Sequence, residues 1–174
     1  CTERGIAVAE GVGDPVAPAE LTWALIMAGM RRLPQYISNL KHGAWQQSGL
    51  KNSTMPVNFG VGMVLHQKTL GIWGFGKIGQ LVAGYAKAFG MKVVIWGSDA
   101  SRDLAQQQGY ESAPSREAFF EQADVLSLHL RLNEATHHIV KADDLARMKP
   151  TAMLVNTSRA ELIDPDVLIA ALSR

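Results

Sequence analysis

An α/β domain built on a parallel, doubly wound sheet is the expectation for this 174-residue chain. Three observations carry it. From Thr69 onward short apolar runs alternate with helical patterns, a glycine-rich turn joins the first run to the first helix, and the composition, 47% hydrophobic, is that of an ordinary globular domain. Strands separated by helices of this length join in parallel, because each helix serves as the crossover.

The elements follow in order. Asp14-Pro15 supplies an N-cap and a first-turn proline, and apolar residues crowd from Pro15 to Arg31-Arg32 before Pro34, so a largely buried helix is expected over 15–33. A shorter helix follows Pro34 and ends near Gly43. Trp45 and the Gly-, Ser-, Asn- and Gln-rich stretch from Gln46 to Phe59 read as loop. Thr69 to Trp73 is a strand. Gly76 to Phe89 is a helix with Ile78, Leu81, Val82, Tyr85 and Phe89 on one stripe and Gly90 as its stop. Lys92 to Trp96 is the next strand, followed by helices over 101–108, closed by Gly109, and over 115–122, capped by Ser115. Asp124 to Leu130 is a β-rich strand, Lys141 to Met148 a helix ended by Pro150, and Ala152 to Asn156 an apolar strand. Asp164-Pro165-Asp166 opens a last helix with cap, proline and early acid together.

Charge and cysteine content narrow the function. The chain carries 17 Lys+Arg against 16 Asp+Glu with no basic block, which gives no footprint for nucleic acid. Its apolar runs are too short and too interrupted to span a bilayer, and residues 1–10 lack the charged and apolar regions of a secretory signal. One cysteine makes no internal disulfide, and no Cys/His set stands at ligand spacing, so a reducing, cytoplasmic compartment and no bound metal are expected. His137-His138 are adjacent, a spacing at which two side chains rarely converge on one ion.

Gly74-Phe75-Gly76-Lys77-Ile78-Gly79 reads GxGxxG between strand and helix, the Rossmann-type context in which a dinucleotide pyrophosphate is held. Gly74 permits the tight turn, Gly76 lets backbone N–H groups approach the phosphates, and Gly79 lets the helix lie close on the sheet. The free N–H groups and positive end of that helix then face the anion. An acid at the end of the next strand should hold the adenosine ribose, but that strand ends Trp96-Gly97-Ser98-Asp99, with Arg102 beyond. Asp99 reaching the ribose favours NAD; Ser98 and Arg102 taking a 2′-phosphate favour NADP; and Asp99 and Arg102 serving only to cap and solvate the next helix is equally open.

Several signatures in register resemble the D-isomer-specific 2-hydroxyacid dehydrogenases. Ala19-Glu20-Leu21-Thr22 is similar to that family's VAE-x-T helix, Gly43-Ala44-Trp45 to its G-x-W, and residues 68–79 to its GKTLGIIGLGRIG. Residues 86–93, 123–129, 148–150 and 156–159 complete the series. The resemblance implies hydride passing between a nicotinamide C4 and C2 of a 2-hydroxy or 2-oxo acid, with Arg159 as the substrate arginine. A planar guanidinium suits that task, since it grips a carboxylate with paired bonds and polarises the oxygen that gains charge. The same resemblance adds His129, Leu130, Thr136, Thr157 and Ser158 to the cofactor-binding positions. It also implies a two-domain enzyme, of which residues 1–60 would be a helical segment and loop of the cofactor domain and 61–174 a partial dinucleotide-binding domain.

Departures accompany the likeness. Ala160 stands where the family usually has Gly, and Arg131 where it commonly has Pro. The family's proton-donating carboxylate and histidine come from segments beyond the arginine, and its substrate lobe is absent too, so the chain is expected to be a piece of the enzyme, able to bind dinucleotide without turnover. A dinucleotide-sensing corepressor-like protein on the same scaffold is the alternative, and a Rossmann domain for S-adenosylmethionine a third. The apolar helix from Pro15 points to a homodimer.

Overall fold

The computed structural model describes Arg4 and residues 13–43 and 62–173; Trp45 and the loop expected over 46–59 lie outside them. The chain order is α1 (Val16–Met30), α2 (Leu33–Lys41), β1 (Thr69–Trp73), α3 (Lys77–Ala88), β2 (Lys92–Trp96), α4 (Asp99–Gln107), β3 (Glu111–Ser112), α5 (Arg116–Gln122), β4 (Val125–Leu128), α6 (Ala142–Arg147), β5 (Met153–Asn156) and α7 (Pro165–Leu172), with a short 3-10 turn over Ala160–Leu162.

The five strands form one parallel sheet in the order β3-β2-β1-β4-β5. The order reverses between β1 and β4, which places the ligand crevice of such a sheet at the carboxyl ends of those two strands. β4 is buried throughout and β1 over four of its five residues, which is why they read as continuous apolar runs rather than alternating ones. One core lies under α1, α3 and α4 and includes Ile26, Leu70, Ile72, Val82 and Ile95. The other lies under α5, α6 and α7, where Phe119 and Phe120 pack edge-on against Trp73.

Local chemistry explains most boundaries. Ser98, Ser115 and Asp164 cap α4, α5 and α7 by accepting the N–H of Ser101, Ala118 and Asp166. The first of these moves the start of α4 to Asp99, two residues ahead of the expected Ser101. Asp144 caps α6 from within, accepting the Lys141 N–H at 2.7 Å, and its carboxylate is clamped by Arg116, whose guanidinium lies 4.9 Å above the Trp73 ring. At the amino ends of the strands, burial works to raise the Asp124 carboxyl. The Thr69 N–H at 2.8 Å and the Lys149 ammonium at 3.0 Å outweigh it, so its pKa sits below the usual carboxylate range.

Two expectations are corrected. β3 escapes sequence reading because it is two residues long and wholly polar; only its pairing with Val94 and Ile95 defines it. α1 is not buried all round: Ala19, Thr22, Ile26 and Met30 face α3 and β5, while Leu21 and Leu25 remain 54% and 45% exposed. Among the described residues no helix is long and apolar enough to cross a membrane.

Candidate active site at the carboxyl edge of the sheet

Gly74 leaves β1 at φ +100°, and a Cβ there would lie 2.5 Å from the His129 carbonyl oxygen, so the turn requires glycine on both conformational and steric grounds. Gly79 is packed as tightly: a Cβ would stand 2.3 Å from the Gly74 carbonyl oxygen. Gly76 is different, because a Cβ there meets nothing within 4 Å. It is the N-cap of α3, whose first N–H groups no side chain caps. Gly76 and Lys77 are exposed, Ile78 half-buried, and Phe75 turns inward against Tyr110. Close packing below and open donors above are what a diphosphate needs.

Across the switch point, β4 runs into His129 and Leu130. The His129 N–H donates to the Trp73 carbonyl at 2.8 Å, and its Nε2 lies 2.9 Å from the Ser127 hydroxyl. Burial pushes the imidazole pKa down to about 4, so the ring is neutral near pH 7. A neutral, half-buried imidazole fits a packing role rather than that of a proton donor. Thr136 turns its hydroxyl into its own loop, donating to the Arg131 carbonyl at 2.6 Å and accepting the Asn133 N–H at 2.8 Å. His137 and His138 stack at 3.9 Å, and His138 Nδ1 lies 3.4 Å from the Asp164 carboxylate. Among the described residues no group of three or more His, Cys, Asp or Glu gathers to hold a metal ion.

The turn after β5 is held from three sides. Asn156 accepts the Ser158 N–H at 3.0 Å and donates to the Arg159 carbonyl at 2.8 Å; Ser158 donates its hydroxyl to the Leu128 carbonyl at 2.8 Å. Thr22, fully buried on α1, gives its hydroxyl proton to the Pro18 carbonyl and so must accept from the Thr157 hydroxyl at 2.7 Å. Arg159 is exposed, with one guanidinium N–H on the Ser158 carbonyl. The fold therefore brings the glycine turn, His129, Leu130, Thr157, Ser158 and Arg159 to one edge. Ser98, Asp99 and Arg102 lie at the carboxyl end of β2, one strand away.

A groove of about 1130 Å³ opens between β5, α6 and α7, lined in part by Thr157, Ser158 and Arg159, rather than at the glycine turn. What sets the glycine turn apart from that groove is the run of N–H groups at the start of α3 that no side chain caps, the donor set an anion favours. Sequence reading missed Thr22 and Ser127 as supports of the site. Both stand within the family-like segments quoted above, and a lone hydroxyl within an apolar run is the local signal of their roles.

A parallel sheet with this order, a glycine turn at its switch point and uncapped helix N–H groups above define a dinucleotide-binding domain. The family model for the D-isomer specific 2-hydroxyacid dehydrogenase NAD binding domain matches residues 23–174, and the chain belongs to that family. It is 38% identical over 156 residues to the glyoxylate reductase of Aeropyrum pernix, covering 90% of this chain and 45% of that one. Its fold superposes on a structure assigned as a D-3-phosphoglycerate dehydrogenase from Ralstonia solanacearum with TM-score 0.89 and 61% identity, covering all of this chain and 51% of the other. A D-lactate dehydrogenase of Aquifex aeolicus, solved with NAD and lactic acid, gives TM-score 0.81 at 31% identity, over all of this chain and 49% of that one. The chain thus spans about half the length of these relatives.

Proposed function

We propose that this chain is the cofactor-holding part of a dehydrogenase acting on a D-2-hydroxy or 2-oxo acid, glyoxylate among the candidates, and that Arg159 binds the substrate carboxylate. The observation that supports this best is the placement of an exposed guanidinium on a strand-end turn, fastened to β4 through Ser158, at the same carboxyl edge as the glycine turn two strands away. Bound nicotinamide would supply or accept the hydride. The chain's own part is to anchor the diphosphate on the first N–H groups of α3, pack one side of the crevice with His129 and Leu130, and stabilise negative charge on the substrate with Arg159. The proton donor is not among the histidines described above, since burial holds His129 neutral and His137 stacks on His138, which faces Asp164.

A second copy of the chain is proposed for the face that carries Leu21 and Leu25 of α1 and Leu33, Ile37 and Leu40 of α2, each more than 40% exposed and set at i, i+4 and i+7 intervals. Titration with NADH, NADPH and S-adenosylmethionine tests the reading. Micromolar binding of a nicotinamide dinucleotide is expected, and binding of S-adenosylmethionine alone would overturn it. In the enzyme, Arg159→Gln should lower kcat/KM for a 2-oxo acid about 100-fold with little change in NADH affinity.

A further inference from the structure

The end of β2 decides how the adenosine ribose is read, and here the structure goes further than the sequence. We infer that the Ser101–Arg102 corner of α4 accepts a 2′-phosphate, so that the site takes NADP(H) at least as well as NAD(H). The inference rests on the dinucleotide reading above.

Selection for NAD requires a carboxylate that accepts the ribose hydroxyls and repels a 2′-phosphate. Position 97, where β2 ends, is Gly at φ +155°, and a Cβ there would lie 3.3 Å from the Ser101 Cβ. A side chain there would be strained at this φ and would crowd Ser101, and glycine leaves the place without a carboxylate. The one acidic residue in the first turn of α4 is Asp99, whose side chain is 87% exposed and whose carboxylate is already paired with Arg102.

The donors nearby suit a dianion. Ser98 Oγ accepts the Ser101 N–H at 3.3 Å and donates to Ser101 Oγ at 3.2 Å, so among the described residues the Ser101 hydroxyl proton has no partner. Arg102 is held flat, with its Cζ 4.9 Å from the Trp96 ring centroid, and its main chain is anchored where the Ser112 hydroxyl donates to the Arg102 carbonyl at 3.3 Å. An ion pair as exposed as Arg102–Asp99 is weak, whereas a phosphate offers the guanidinium two charges and paired oxygens. The carboxylate swings away and the guanidinium keeps its stacked position.

Calorimetric titration with NADPH, NADH, 2′,5′-ADP and 5′-ADP tests this. NADPH and 2′,5′-ADP should bind as tightly as their unphosphorylated counterparts or tighter. Arg102→Ala should weaken NADPH about tenfold and leave NADH within about threefold. Asp99→Asn should strengthen NADPH and leave NADH unchanged. Tenfold tighter binding of NADH than of NADPH would overturn the inference, as would an Asp99→Asn protein that loses NADH, since that carboxylate would then hold the ribose. If no dinucleotide binds, the dinucleotide reading and this inference both fall.

Discussion

Replacing Gly79 by Ala puts one methyl group where α3 rests on the β1 turn. Its Cβ would stand 2.3 Å from the Gly74 carbonyl oxygen and 3.3 Å from Ile72 Cγ2. Ordinary carbon–oxygen contact is near 3.3 Å, so helix and turn must separate by about 1 Å. Overpacking on this scale costs about 1–3 kcal/mol, partly offset by up to about 1 kcal/mol of helix propensity. The functional effect is more selective. A displacement of about 1 Å at the start of α3 breaks at least one charge-assisted N–H bond to phosphate, worth about 1.5–3 kcal/mol, or roughly 10- to 150-fold in NADH Kd. Calorimetry of NADH binding alongside thermal unfolding measures both terms. Gly84→Ala is the control, because a Cβ there meets nothing within 4 Å and Gly84 is exposed on the same helix. It should gain about 0.5–1 kcal/mol of stability and bind NADH as the parent does. A Gly79→Ala protein with unchanged NADH affinity would refute the reasoning, since the anchor would then not depend on how α3 seats.

His129 and Thr22 yield further tests. The folded-state pKa of His129 is about 4, below the unfolded value near 6.5, so its contribution is whole above pH 6.5 and lost as pH falls toward 4. That loss amounts to about 3 kcal/mol, and denaturant titrations of His129→Gln should show a flatter stability profile across this window. Thr22→Val keeps the shape but strips the acceptor for Thr157. It should cost about 1–2 kcal/mol, lowering Tm by about 2–8 °C, while Thr22→Ser restores most of it.

The parts of the fold open to sequence reading are those that local chemistry dictates. The caps at Ser115 and Asp164, the apolar runs of β1, β2, β4 and β5, and the glycine turn each leave a signal within a few residues. β3 leaves none, because Glu111 and Ser112 become a strand only through pairing with Val94 and Ile95. α1 shows the other limit. Its residues are apolar nearly all round, so period alone could not say that Leu21 and Leu25 stay exposed while Thr22 is sealed inside.

The site divides on the same principle. Gly74 and Gly79 are legible because their roles belong to a turn, whereas Arg159 is singled out by the family resemblance. The corner of Ser98, Asp99 and Arg102 was not legible, because one string of residues permitted three outcomes that differ only in which side chain each group faces. In the structure Ser98 caps α4 and Asp99 pairs with Arg102, so these groups serve their own helix. What neither consumes is the stacked face of the guanidinium and the Ser101 hydroxyl proton. Donors left over after the local bonds are counted are what a ligand can use, and that count requires coordinates.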